Sequence, residues 1–99
     1  MFTNFTKTFS ESEKLAVWNK GGVDSQYDSN MWRFDKCGAW MKFSDYGNRN
    51  SKYGWEIDHI VPTSKNGSDD ISNLQPLRWE NNAAKSDGQL VCAVGTGKF

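Results

Sequence analysis

Residues 53–87 read YGWEIDHIVPTSKNGSDDISNLQPLRWENNAAKSD. The stretch holds the chain's one histidine, His59, directly after Asp58. Ahead of that pair, Trp55-Glu56-Ile57 alternates apolar and polar side chains as a strand does. Pro62 and a loop rich in Ser, Asn, Gly and Asp follow, ending near Asp70. Ile71 to Leu77 then turns the chain back as a second short strand. A short helix is expected over about Arg78 to Ser86, with Ala83 and Ala84 inside it. The local order is strand, loop, strand, helix, and the remaining residues are expected to hold that unit in place.

The segment resembles the H-N-H nuclease family, whose site is a compact ββα-metal motif. The family pattern is an Asp-His or His-His pair, a central Asn, and a late His or Asn on a helix. Here these are Asp58-His59, Asn73 and Asn82. The Asn-Leu-Gln-Pro-Leu run at 73–77 and the Asn82-x-x-Lys85 spacing match as well. The likeness covers roughly the last half of the chain; the middle, Trp32 to Tyr53, is compatible with it, and the first thirty residues add little. It implies an α+β fold and a metal-dependent DNA endonuclease. It also implies that Asn73 serves catalysis by steadying the loop that orients His59.

The same residues carry that chemistry without the name. Hydrolysing a phosphodiester needs an activated water and stabilisation of charge on the phosphoryl and leaving oxygens. Asp58 offers an anionic oxygen and Asn82 a neutral one. Such ligands suit Mg²⁺, with waters and a phosphate completing a shell at about 2.1 Å. Mn²⁺, Zn²⁺ and Ni²⁺ are the alternative ions for a site of this shape. Neighbours on extended backbone point opposite ways. Asp58 is therefore expected to grip the ion while His59, an imidazole that exchanges protons near neutrality, takes one from the attacking water. Its other ring nitrogen then needs a fixed acceptor.

Lys85 lies three residues after Asn82, near the same helix face, and is a candidate phosphate contact together with Arg78 and Arg49. Glu56 shares strand parity with Asp58, so it either supports a ligand from behind or forms a salt bridge. Plainer roles stand beside these: a turn cap for Asp58 or Asn73, a helix-surface amide for Asn82, a solvated ammonium for Lys85. Two other functions fit the same scaffold, a non-catalytic nucleic-acid-binding module and a metal-dependent phosphatase acting on small substrates.

The 99 residues make one domain, 1–99, with the ββα unit at about 53–87 and a modest core. Five Trp, six Phe and three Tyr supply large buried areas from few positions. Twelve basic side chains balance twelve acidic ones, which argues against sequence-independent coating of DNA. A local basic surface is not excluded by that balance. No apolar run is long enough for a membrane span. The expectation is a cytoplasmic monomer, in a bacterial or phage-infected cell, with DNA as its partner and no membrane.

Cys37 and Cys92 stand alone, so a four-cysteine structural zinc lacks its ligands. Relatives of the H-N-H type often carry that zinc, and Arg78 and Asn81 stand here where the second cysteine pair would be. Aromatic packing is the expected brace. Two reduced thiols are the default, and nothing in the sequence supports a bridge between them.

Elsewhere, Phe2, Phe5 and Phe9 make the N-terminus either an arm packed through its rings or a frayed end. Ser10 to Glu13 forms a capping box for a packing helix with Leu15 and Trp18 on its apolar side, ended by Gly21-Gly22. Gly38 interrupts Met31 to Phe43, leaving a strand at Ala39 to Phe43. Trp32, Phe34 and Trp40 are expected in the core rather than as platforms for bases, and Arg33 is expected to pair with Asp35. Residues 44–52 are expected to form a turn-rich connection, with Arg49 and Lys52 as candidate substrate contacts. Gln89 to Val94 is a last strand or a packed tail.

Overall fold

Eight residues form the first helix, α1 (Glu11–Trp18), whose start is fixed because two of its free backbone amides are met locally. The Ser10 hydroxyl accepts from the Glu13 amide at 3.1 Å, and the Glu13 carboxylate accepts from the Ser10 amide at 2.9 Å. The structure, a computed structural model, describes residues 8–95. Phe2 and Phe5 lie outside these; Phe9 is buried. The helix ends at Asn19, before the glycine pair. Those glycines answer a different demand: Gly22 pairs with the backbone of Phe34, and a Cβ there would lie 2.1 Å from the Phe34 ring. Val17 and Trp18 are the buried residues of α1, whereas Leu15 is exposed.

β1 (Trp32–Phe34) and β2 (Trp40–Lys42) form an antiparallel hairpin, with Arg33 opposite Met41. Gly38, at φ 82°, makes its turn. β2 falls inside the stretch expected as a strand; β1 was not expected, since three residues carry too little alternation to stand out. β3 (Trp55–His59) pairs with β4 (Leu74–Arg78), with Asp58 opposite Gln75 and His59 opposite Leu74. A 3₁₀ turn takes Ile71–Asn73, so the return strand starts later than expected. The Lys20 ammonium ties that turn to the end of α1 by donating to the carbonyls of Ile71 and Leu74. Pro76 is tolerated in β4 because the strand has a neighbour on one side only.

α2 covers Trp79–Ala84. It is shorter than the sequence suggests because Lys85 leaves the helix in extended backbone and sends its side chain back to β3. The outcome is the expected α+β domain: two antiparallel hairpins and two helices. No helix among the described residues is long and apolar enough to cross a membrane.

The core lies between α1 and the two hairpins. Trp18, Met41, Trp55 and Leu74 are fully buried there, with Phe43, Tyr46, Ile57 and Ile71 packed against them. Ring contacts at 4.9–5.3 Å join Trp18, Phe43, Tyr46 and Trp55. Each buried indole N–H finds an acceptor, Trp18 on the Ser29 carbonyl and Trp55 on that of Phe43. Trp32, Phe34 and Trp40 are outside this core and stay half-exposed. Arg33 does not meet Asp35; it donates to the carbonyls of Ser29, Asn19 and Gly21.

Asp35 instead organises a buried knot. One carboxylate oxygen accepts from the amides of Cys37 and Ala39, the other from the Arg78 amide and the Asn81 side chain, all at 2.9 Å. The Asn81 oxygen accepts in turn from Val94. Beside this knot Cys37 and Cys92 form a disulfide, which replaces the expected reduced thiols. The brace is therefore a hydrogen-bonded carboxylate and a covalent link as well as aromatic packing. Gln89 to Val94 forms no strand; it is a largely exposed tail held by that link and by the Val94 amide on Asn81, with Leu90 and Val94 partly buried.

Candidate metal centre and catalytic cleft

β3 alternates, so Glu56 and Asp58 project to one side, and α2 packs against that side. Two contacts fix the register between helix and strand. The Asn82 side-chain nitrogen donates to Glu56 at 2.8 Å, and the Lys85 ammonium donates to Asp58 at 2.8 Å. The result is an open cleft of about 320 Å³, lined among others by Asp58, His59, Asn82 and Lys85.

A carboxylate can only accept, so the Glu56–Asn82 contact assigns the amide: its nitrogen faces Glu56 and its carbonyl oxygen is left for the cleft. Glu56 is held in turn by Arg49, whose Nε and an Nη donate at 2.7 and 2.8 Å. Burial pushes the Glu56 carboxyl up, but hydrogen bonds from Arg49 and Asn82 and the Arg49 charge outweigh it, leaving its pKa below the ordinary value. A depressed carboxylate pKa stabilises the fold fully above the unfolded value, about 4.3, and that stability is lost as pH falls through the lower folded value. Melting temperatures of wild type and Glu56→Gln are therefore expected to differ most at neutral pH, with the gap shrinking as pH falls below the unfolded value of about 4.3. A gap that widened on acidification would exclude this pairing as its source.

Asp58 is buried, and its Oδ2 accepts from both Lys85 and Gln75. The Gln75 nitrogen must face that carboxylate, which leaves Gln75 Oε1 as a buried oxygen with no partner among the described residues. Lys85 also donates to the carbonyls of His59 and Ile60. Its three donors are thus directed inward, neutralising Asp58 and anchoring the end of β3. Lys85 still lines the cleft, but it is not the solvated ammonium of the plainer reading.

The His59 ring is half-buried, with Nε2 2.7 Å from a carboxylate oxygen of Asp69. The acceptor that the sequence required but did not identify is Asp69, from the loop between β3 and β4. Asn73 lies under that loop. Its oxygen accepts from the Val61 amide, and its nitrogen donates to the carbonyls of Val61 and Ser68. The Asn73 carbonyl also accepts from Ile60. Asn73 thus fastens both ends of the loop that follows His59.

The two arginines go elsewhere. Arg78 is buried, donating to Glu80 and to the Trp40 carbonyl, away from the cleft lining. Arg49 is occupied by Glu56 and lies over the Trp79 ring at 5.6 Å. Each guanidinium is paired with a nearby glutamate, Arg78 buried and Arg49 still exposed.

Among the described residues no three His, Cys, Asp or Glu side chains gather as a metal cage. The donors the cleft does offer are one oxygen each from Asp58 and Asn82. So small a protein share fits an ion that takes most of its ligands from water and substrate, as Mg²⁺ does.

Residues 37–88, just over half of the chain, match the family model described as HNH endonuclease. No curated protein and no solved structure matches the chain.

Proposed function

This chain belongs to the HNH endonuclease family, and from that premise we propose that it hydrolyses phosphodiester bonds in DNA with one divalent ion, Mg²⁺ by preference. The observation that carries the reading is the Glu56–Asn82 contact, which turns an amide oxygen toward the cleft that Asp58 and His59 also line. Asp58 and Asn82 would hold the ion. When bound, it supplies positive charge to the phosphoryl and leaving oxygens.

The protein's own residues do the remainder. Asp69 accepts from Nε2 of His59, so in the neutral ring Nδ1 is the acceptor and the base toward water. Asn73 fixes the loop that carries Asp69's end of that contact. Lys85 keeps Asp58 charge-balanced while buried. Each acid of the site already has a cation, Lys85 for Asp58 and Arg49 for Glu56. The free protein is therefore expected to bind Mg²⁺ weakly, with the substrate phosphate completing the site.

Supercoiled plasmid incubated with Mg²⁺, Mn²⁺ or Zn²⁺, with and without EDTA, tests the reading. Nicked or linear product that requires metal supports it. Binding without cutting would move the protein to the non-catalytic class. Asp58→Ala and Asn82→Ala are each expected to weaken metal affinity by about tenfold or more, by calorimetry on the protein with a non-cleavable DNA. Unchanged affinity in both would remove them as ligands.

A further inference from the structure

The β1–β2 hairpin turns Met41 into the core, while Trp32, Phe34, Trp40 and Lys42 on its other face stay part-exposed. A two-stranded sheet of this kind normally presents polar side chains to water. Here the register puts Trp32 opposite Lys42 and Phe34 opposite Trp40 on the outer face. Tyr27, Trp32, Trp40 and Tyr53 line a cavity of about 300 Å³ on it. Tyr27 is 53% exposed and the other three are half-exposed. Tyr53 stands at 90° to Trp32 and Tyr27 at 65° to Trp40, so the rings wall a slot rather than stacking shut.

Two cations sit on this slot. The Lys42 ammonium is 5.8 Å from the Trp32 ring centre, and the Lys52 ammonium is 5.8 Å from that of Tyr53. Neither has an acidic partner among the described residues. Asp24 and Asp28, which flank Tyr27 in sequence, accept from the amides of Gln26 and Asn30 in their own turns. Flat apolar walls with ammonium groups beside them match a flat aromatic ring joined to phosphate. The volume is that of a small site, suited to one such ring rather than an extended ligand.

We propose that this slot binds an unpaired nucleobase of a DNA strand, with Lys42 and Lys52 holding its flanking phosphates. A paired base keeps its faces inside the duplex stack, so the slot selects single-stranded or frayed DNA. A short chain of contacts leads from the slot to the cleft. Trp79 donates to the Ser51 carbonyl, two residues before Tyr53; Arg49 lies over Trp79; and Arg49 holds Glu56, which holds Asn82. The substrate class rests on the nuclease reading, but binding in the slot does not require cleavage.

The test is fluorescence anisotropy of a labelled oligo-dT in EDTA, where no metal-dependent cutting occurs. Trp40→Ala and Tyr27→Ala are each expected to bind about tenfold more weakly, with Trp40→Phe recovering most of the loss because it keeps a flat ring. Tyr27 is exposed, so its variant guards against misfolding as the cause. Affinity equal to wild type in both alanine variants, or blunt duplex competing as well as single strand, would overturn the proposal. Plasmid cutting is scored separately. Failure of wild type to cut would sink the nuclease reading, while unaltered oligo-dT binding by the variants sinks the slot alone.

Discussion

Replacing His59 with alanine is expected to lower metal-dependent plasmid cleavage by about 10²- to 10⁴-fold, the usual contribution of a positioned general base. The fold should hardly notice. The ring is half-buried, and its strongest contact is to Asp69, an exposed side chain that water can serve after the substitution. Asp58, Asn82 and Lys85 keep their partners, since none bonds to the imidazole itself. Metal affinity and melting temperature should therefore stay at wild-type values while the rate falls. Full cleavage by His59→Ala would end the assignment of the base. A parallel loss of melting temperature would instead mark the ring as structural. Asp69→Ala is expected to fall between wild type and His59→Ala, because the base remains but loses the acceptor that sets its tautomer and orientation.

The parts of this architecture that could be read from the sequence are those written into local spacing. The capping box at Ser10 and Glu13 specifies the start of α1 with four residues. The alternation at Trp55 to Ile57, followed by Asp58-His59, specifies β3 and which side chains share a face. The spacing from Asn73 to Asn82 placed one residue under the loop and the other on the helix beside Asp58. What spacing cannot state is which partner a long side chain chooses. Arg49, Arg78 and Lys85 all had the composition of phosphate contacts. Each is paired with an acid, Glu56, Glu80 and Asp58 in turn.

The aromatic residues of the first hairpin posed a different problem. Strand alternation separates Trp40 from Met41 but does not say which face will be covered. Size favoured the tryptophan; the structure buried the methionine. The deciding factor is tertiary: Trp18 and Trp55 already fill the space between α1 and β3, and Met41 fits against them. Asp69 was missed for a similar reason, since an acid in a polar loop has no local mark that singles it out.

Opening the Cys37–Cys92 disulfide, by reduction or by Cys37→Ala with Cys92→Ala, is expected to be the largest stability change available in this chain. The link joins residues 55 apart, and closing a loop of that length in the unfolded chain accounts for about 4 kcal/mol. A domain of this size has about 5–15 kcal/mol in total, so the melting temperature should drop by about 15 °C or more. The two sulfurs differ in access: Cys37 is buried, while Cys92 is exposed and open to a reductant. The link matters to the cleft because of where it lies. Cys37 hands its amide to Asp35, Asp35 holds the start of α2 through the Arg78 amide and Asn81, and Asn81 holds Val94 two residues beyond Cys92. Arg78 and Asn81 are the positions where zinc-bearing relatives would place a second cysteine pair. The same junction between tail, hairpin and helix is held here by the Asp35 hydrogen bonds and the disulfide. Because the Asp35 hydrogen bonds survive reduction, the reduced protein should keep its cleavage activity well below its lowered melting point and lose it sharply on warming. A reduced protein that melts with the oxidised one would show that the Asp35 knot alone is the brace.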